Sequence, residues 1–208
     1  MNLSEPLDGL TTAVGSAVLR VLARTDSGLS GRQVHALAGI GSTSSVHRAL
    51  AGYVEVGLVS PEARPPAIIY RANREHVLWP VVELAIGARS RAFDSIRRFC
   101  EEDLPADLGL TVLVYGSVAR RESTRESDLD LFVVYPDGMD EDARSELNYR
   151  IAQHVERITG NEAQVYSIER AELDQRIADH DPLVSNVLTD GMLVAGPALP
   201  RAARRAIA

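Results

Sequence analysis

The segment from Leu113 to Val134, LVYGSVARRESTRESDLDLFVV, constrains the fold of this chain more than any other. Two apolar stretches flank a Gly-Ser pair and a polar loop, which predicts a strand, a tight turn, a short helix, a loop and a second strand. Ten residues separate Ser117 from Asp128, and Asp128 and Asp130 flank Leu129 at the head of the second strand. Because side chains alternate along a strand, the two carboxylates are predicted to point the same way.

Two carboxylates beside a glycine turn suit the binding of a magnesium–nucleotide complex. Carboxylates bind this hard cation, and a tight turn lets backbone N–H groups approach phosphate oxygens. We therefore predict that Asp128 and Asp130 are metal ligands and that Gly116 and Ser117 contact the nucleotide. The alternative is that both aspartates lie at an exposed loop edge and that the spacing is a coincidence.

The pattern h-G-S-x(10)-D-x-D-h, in which h is apolar, resembles that of the polymerase-beta-type nucleotidyltransferase superfamily. In detail it is similar to the minimal nucleotidyltransferase branch, whose typical run is GSRARGEA-x-x-x-SDIDLLV. The positions identical to that run are Gly116, Ser117, Ala119, Arg120, Glu122, Ser127, Asp128, Asp130 and Leu131. The resemblance is close over about residues 110–136 and extends to the next helix and strand by pattern only.

The resemblance implies a mechanism for this segment. Asp128 and Asp130 would bind one or two Mg²⁺ ions that bridge a triphosphate, and Gly116 and Ser117 would hold its β- and γ-phosphates. An acceptor group would then attack the α-phosphorus in line with the departing pyrophosphate. Arg120 would neutralise charge on the triphosphate. The NTP is accordingly expected as substrate or ligand, and Mg²⁺ as cofactor.

Two positions depart from the family pattern. The arginine that usually follows the Gly-Ser pair is Val118 here, and Arg121 replaces the next glycine, so its charge would come from the opposite side of the turn. Members of the family usually carry a third carboxylate on the strand after the long helix, and Gln164 aligns with that position. Glu162 has the same strand parity and is the candidate substitute as a metal ligand. Without this carboxylate, nucleotide binding is expected to survive while transfer is slow or absent.

The first third of the chain is predicted to contain three helices followed by a two-stranded ribbon. The helices span about residues 11–24, 31–38 and 43–56, and the first and third each have an apolar face. Ser30 is expected to cap the second helix, and Ser42 or Thr43 the third. The strands cover residues 58–59 and 67–71, with a turn over residues 61–66. This order is typical of a winged helix-turn-helix.

A winged helix-turn-helix suggests contact with DNA through the outward face of its third helix. Ser44, His47 and Arg48 are the candidate groove contacts, and Arg64 in the wing could reach a phosphate. The alternative is a module for packing or dimerisation, because the outward face also carries Glu55 and few basic residues.

Residues 75–104 are predicted to form one long connecting helix, with Pro80 in its first turn or at a kink. Four arginines, Arg89, Arg91, Arg97 and Arg98, give it a basic patch. Such a patch is read as a solvated or interdomain face, with a contact to nucleic acid or nucleotide as the alternative.

The predicted fold class is therefore α+β. A winged helix-turn-helix domain (residues 1–74) and the connecting helix (75–104) precede a nucleotidyltransferase-like domain (105–199), whose small mixed sheet is flanked by helices, and a tail (200–208) follows. No apolar run is long enough to span a membrane, and residues 1–10 lack the features of a signal peptide, so a cytoplasmic location is expected. Cys100 is the single cysteine, which excludes a disulfide framework, and it is read as a packed residue.

Charge and motif together leave three functions open. Residues 1–80 hold 7 Arg against 6 Asp and Glu and residues 81–208 hold 15 against 23, so the acidic excess behind the net charge of −7 lies in the second part. The acidity of the whole chain argues against non-specific binding of nucleic acid but leaves room for local contacts by the first part. The leading hypothesis is an Mg²⁺-dependent transfer of NMP from an NTP to a protein, RNA or small molecule. The second is a transcription regulator whose degenerate transferase domain binds nucleotide without turnover, and the third is a toxin–antitoxin component. The sequence leaves the oligomeric state open.

Overall fold

The computed structural model describes residues 1–105 and 108–199, which divide into two units. The N-terminal unit is Glu5–Ala88, and the C-terminal unit combines Met1–Ser4 with the residues from Arg89 onward. Within the described residues, no helix is long and apolar enough to cross a membrane. The predicted tail at residues 200–208 lies outside the described residues.

Helices form most of the N-terminal unit. After a 3₁₀ turn, its elements are α1 (Ala13–Ala23), β1 (Leu29–Ser30), α2 (Gly31–Ala38), α3 (Thr43–Glu55), β2 (Val59–Arg64), β3 (Ala67–Ala72) and α4 (Trp79–Ile86). Ser30 caps α2 in a reciprocal arrangement with Gln33, and the Ser42 side chain accepts a hydrogen bond from the amide of Ser45 at the start of α3. These caps fix the two helix starts where the sequence predicted them.

The ribbon after α3 is longer than predicted. β2 continues through Arg64, pairing with β3 from Val59↔Ala72 to Arg64↔Ala67, so the turn predicted over residues 61–66 is wrong. Pro61 is tolerated inside β2 because β2 is an edge strand of the sheet, whose order is β1-β3-β2. β1 was not predicted, since two residues are too few to show a periodicity.

The interior of the N-terminal unit combines two clusters of buried side chains. One joins the three helices to the sheet through Val18, Leu22, Val34, Val46, Leu50 and Val59. The other surrounds Trp79, which is 1% exposed and lies in one cluster with Leu7, Leu19 and Leu58 from other elements of the unit. Trp79 thereby anchors α4 to this unit.

The single connecting helix predicted over residues 75–104 is wrong. α4 ends at Ile86, Gly87 interrupts the helix, α5 spans Ala88–Arg98, and a π-helical turn follows at Phe99–Asp103. Pro80 lies in the first turn of α4, as predicted, where a missing N–H is tolerated. The low helix propensity of glycine accounts for the break, which lies next to the boundary between the two units.

The C-terminal unit contains a mixed four-stranded sheet with helices on both faces. Its elements after α5 are β4 (Thr111–Tyr115), α6 (Gly116–Arg120), β5 (Leu129–Tyr135), α7 (Glu141–Thr159), β6 (Ala163–Glu169), α8 (Arg170–Ala178), α9 (Pro182–Asp190) and β7 (Met192–Ala195). The strand order is β6-β5-β4-β7, with β5 and β6 parallel and the other pairs antiparallel. The α+β class and the mixed sheet agree with the prediction.

Alternation along β5 divides the interior of this unit into two layers. Leu129, Leu131 and Val133 pack against α5 and α7 on one face of the sheet. Phe132 and Val134 pack against α8 and α9 on the other face. Asp130 lies two residues before Phe132 on β5, so its side chain points to the same α8/α9 face, next to this apolar layer.

Replacing Phe132 by alanine is expected to destabilise the C-terminal unit by about 3–5 kcal/mol. Its ring is fully buried, with ring centroids 6.3 Å from Tyr115 and 5.7 Å from Tyr166, so truncation leaves a cavity. Urea denaturation followed by circular dichroism measures the loss. Tyr149→Ala, at a side chain that is 58% exposed, is the control and should change stability by less than about 1 kcal/mol. Equal losses in the two variants would contradict this description of the core.

Candidate functional site

The Gly-Ser pair forms the first turn of α6, directly after β4 ends at Tyr115. Gly116 has a φ of 70°, a left-handed conformation that glycine adopts readily because it has no Cβ. A Cβ at this position would overlap with Oδ2 of Asp130. The structure therefore brings the predicted turn against the predicted carboxylate.

Side-chain hydrogen bonds shape the loop that joins α6 to β5. The Ser127 hydroxyl accepts a hydrogen bond from the amide of Thr124 at 2.8 Å, as expected for a turn residue. Asn161 donates from Nδ2 to the carbonyl oxygen of Ser127, also at 2.8 Å. These contacts hold the end of the loop, where Asp128 stands immediately before β5.

Asp130 lies in a row of three side chains across the sheet. Tyr115 on β4 is opposite Asp130, and Gln164 on β6 is its partner in the parallel pair. Paired residues on neighbouring strands share one face of the sheet, so all three side chains point to the α8/α9 side. Gln164 consequently occupies the strand position beside the aspartate pair.

The two aspartates lie close enough to affect each other. Burial raises the pKa of Asp130, the carboxylate of Asp128 raises it further, and Arg120 opposes both effects. Two carboxylates at short range resist ionising together, and a cation bound to both removes that resistance. The structure thus brings together the two carboxylates that the sequence singled out.

Tyr115 is a neighbour of the carboxylates that sequence reasoning missed. Burial raises the pKa of its phenol, and Asp130 and Tyr166 raise it further. Tyr115 is therefore a neutral group beside Asp130. Its position at the end of an apolar strand does not predict that it lies beside Asp130, because this contact depends on the pairing register of β4 with β5.

The two adjacent arginines of α6 differ in their surroundings. Arg120 donates from Nε to Glu122 Oε2 at 2.9 Å, and this hydrogen bond raises its pKa, with Asp190 and Asp130 contributing by charge. Arg121 ends α6 in the left-handed conformation, with a φ of 62°. Arg120 is thus the arginine that the structure places near the carboxylates.

Glu162 stands immediately before β6, next to Gln164. The Gln164 Nε2 donates to Glu162 Oε1 at 3.1 Å, and the carbonyl oxygen of Glu162 accepts from the amide of Leu129. Over residues 1–105 and 108–199, no group of three or more His, Cys, Asp or Glu side chains is placed to hold a metal ion. The structure therefore does not join Glu162 to Asp128 and Asp130 in a three-acid group.

The candidate DNA contacts lie on the surface of the N-terminal unit. Ser44, His47 and Arg48 are exposed on α3, and Arg64 is exposed at the end of β2. Glu62 accepts a hydrogen bond from Arg64 Nε at 2.6 Å, so the arginine of the ribbon has an acidic partner. This pairing lowers the charge available for a phosphate.

Two predictions about α5 and the turn after it have different outcomes. The arginine patch was interpreted as a solvated or interdomain face, and because Arg89 is 7% exposed the solvated interpretation is wrong at that residue. Its acceptor at 2.8 Å is the carbonyl oxygen of Val118, and backbone acceptors leave no trace in a sequence. Cys100 is packed as predicted, and burial raises the pKa of its thiol to about 12, which makes it a poor nucleophile.

The carboxyl group of Asp130 is expected to titrate above the ordinary aspartate pKa of about 4. Since its pKa is raised, the stability it contributes to the ligand-free protein is present at low pH and is lost as pH rises through that pKa. An NMR titration of the side-chain carboxyl carbon measures the midpoint. Asp128→Asn removes one cause of the shift and should move the midpoint to lower pH. An unchanged midpoint would contradict the proximity of the two carboxylates.

Residues 94–190 match the family model of the nucleotidyltransferase domain. This match supports the nucleotidyltransferase superfamily for this part of the chain, and nucleotidyl transfer as its general chemistry. The matched segment contains the Gly-Ser turn and both aspartates. Comparisons with curated proteins and with solved structures give no match.

Nucleotidyltransferase domains generally use a nucleoside triphosphate and a divalent metal. The residues of this site fit such a complex. Asp128 and Asp130 provide two neighbouring carboxylates, and the missing Cβ of Gly116 lets Asp130 Oδ2 lie against the turn. Mg²⁺ is commonly bound by one or two carboxylates with phosphate and water oxygens completing its coordination, so a third acid is not required for binding.

Proposed function

We propose that the C-terminal unit is an Mg²⁺-dependent nucleotidyltransferase that moves NMP from an NTP to an acceptor. One observation carries this proposal: the glycine turn and the aspartate pair meet at the same point of the sheet. They do so inside the segment that matches the nucleotidyltransferase domain.

Each residue of the site has a distinct task in the proposed reaction. Asp128 and Asp130 hold the metal, which when bound supplies charge stabilisation to the triphosphate. Gly116 and Ser117 present backbone N–H groups to phosphate oxygens. Arg120 lies near Asp130 and offsets phosphate charge, although part of its own charge is neutralised by Glu122.

The acceptor must lose a proton when it attacks the α-phosphorus. Gln164 is an amide and cannot take that proton. Glu162, hydrogen-bonded to Gln164, is the candidate base. The acceptor belongs to one of three classes, namely a protein, an RNA or a small molecule.

The N-terminal unit is proposed to be a winged helix-turn-helix that binds DNA or a protein partner. Support comes from the order of three helices and a β-ribbon, and from the exposure of Ser44, His47 and Arg48 on α3. Electrophoretic mobility shifts across a salt series test DNA binding, because phosphate contacts weaken steeply as salt rises. Salt-insensitive behaviour would favour the protein partner.

Pyrophosphate release is the direct test of the proposed transfer. The full chain is incubated with Mg²⁺, each of the four NTPs carrying a labelled α-phosphate, and fractionated protein, RNA and small molecules. Release of pyrophosphate with label moving to one fraction is expected, and it should stop when the metal is chelated. Failure of every Mg·NTP complex to bind at millimolar concentration would reject the proposal.

A second candidate function follows from Gln164. With an amide in place of a carboxylate, the site retains its nucleotide contacts but has a weaker means of activating an acceptor. The chain would then be a transcription regulator that binds NTP without turnover. In that case Mg·NTP alters DNA affinity, no pyrophosphate appears, and Gln164→Asp gains the ability to release it.

A further inference from the structure

We propose that Arg89 is a positioning residue for the nucleotide site, because it fixes the short helix α6 that begins with Gly116 and Ser117. This inference rests on the proposed function, since it concerns how the same site is held. Arg89 lies outside residues 94–190, the segment that matches the nucleotidyltransferase domain. It therefore adds a residue that neither the motif nor the family match includes.

Arg89 reaches α6 from the first turn of α5. Its Nη2 donates to the carbonyl oxygen of Val118 at 2.8 Å and to that of Ala119 at 3.4 Å. The same atom contacts the sulfur of Met192, the first residue of β7, at 3.1 Å. The guanidinium carbon lies 4.9 Å from the centre of the Phe93 ring. These contacts join α5, α6 and β7 at one point.

The burial of this guanidinium is costly for the fold. Its Nε is buried and makes no hydrogen bond within the described residues. Burial lowers the pKa of Arg89, and the charge of Arg121 lowers it further. Taking a charged group out of water costs several kcal/mol, and replacing a buried ion pair by apolar side chains of similar volume is often neutral or stabilising. The contribution of Arg89 is therefore the geometry of α6 rather than the stability of the core.

A helix of five residues such as α6 has few backbone hydrogen bonds of its own to fix its position. The amide of Arg121 donates to the carbonyl oxygen of Val118 at 3.2 Å, and the amide of Glu122 donates to that of Ser117 at 2.9 Å. Arg89 binds the same Val118 oxygen with a charged donor. Without it, the amides of the Gly-Ser turn would fluctuate, and ordering them on a triphosphate would lower the affinity.

The substitution Arg89→Met tests this proposal in the full chain, because methionine fills similar space without charge or donors. The thermal midpoint should stay at or above that of the wild type. The Kd for whichever Mg·NTP complex the wild type binds should rise about tenfold. Arg89→Lys keeps the charge and should give an intermediate Kd. Arg170→Met, at an arginine on α8 that pairs with Asp174 at 3.9 Å, should leave the Kd unchanged.

Amide hydrogen exchange separates failure of this proposal from failure of the proposed function. In Arg89→Met, the amides of Arg121 and Glu122 should exchange faster while those of β4 and β5 keep their protection. If these amides exchange faster in Arg89→Met and the wild type binds no Mg·NTP, the proposal for Arg89 is supported and only the proposed function is rejected. The proposal would be overturned if both amides exchanged in Arg89→Met at the wild-type rate. It would also be overturned if Arg89→Met bound nucleotide with wild-type affinity, or if its loss of affinity followed a lowered thermal midpoint.

Discussion

Asp130→Asn is expected to lower the affinity for Mg·NTP by about 1000-fold, equivalent to several kcal/mol of lost metal binding. Asp130 is half-buried, Gly116 leaves room at its Oδ2, and Asp128 is close enough to raise its pKa. Asparagine has nearly the same shape but no charge, so the fold should be retained. Calorimetric titration with a non-hydrolysable NTP at saturating Mg²⁺ measures the change.

The matched control for this substitution is Asp174→Asn, an exposed aspartate on α8. It removes the same charge from the same unit and should leave Mg·NTP affinity within twofold of the wild type. A loss of similar size in both variants would mean that net charge, rather than metal ligation, governs binding. The account of Asp130 as a ligand would then fail.

Gly116→Ala is the second substitution with a large expected effect, a loss of about 100-fold in Mg·NTP affinity. A residue with a Cβ loses about 1–2 kcal/mol in the left-handed conformation that Gly116 adopts. In addition, the new methyl group would overlap with Asp130 Oδ2, so the carboxylate must move. The turn and the metal ligand are therefore disturbed together. Titration of this variant under the same conditions gives the measurement.

Gly138→Ala distinguishes these two causes. Gly138 also has a left-handed φ, of 78°, but a Cβ there would meet no atom within 4 Å. This control should show a small stability loss and normal nucleotide binding. If Gly116→Ala binds Mg·NTP as tightly as Gly138→Ala does, the proposed contact between turn and carboxylate is wrong.

Periodicity and turn residues predict the elements of the C-terminal unit well. β4, β5, α7 and β6 lie where the apolar runs and the helical stripe indicated. The central strands β4 and β5 are buried on both faces, and α7 buries one stripe against the sheet. The contact of Gly116 with Asp130 depends in addition on the pairing register of β4 with β5, which periodicity does not fix.

Contacts between segments distant in the sequence are what periodicity could not predict. The row of Tyr115, Asp130 and Gln164 depends on strand register, and α7 separates β5 from β6 along the chain. Arg89 is bound by backbone carbonyls, which have no sequence signature. The helix break at Gly87 and the extension of β2 through Pro61 depend on single residues, and a periodicity taken over a whole helix or strand does not show them.

Asp128 and Asp130 are proposed to bind a metal–nucleotide complex at the Gly116 turn. Isothermal titration calorimetry of the full chain with a non-hydrolysable NTP, with and without Mg²⁺, is the test of this binding. We expect binding that requires Mg²⁺ and disappears in the double variant Asp128→Asn/Asp130→Asn. Absence of binding at millimolar nucleotide would contradict it, and so would equal binding without the metal or in the double variant.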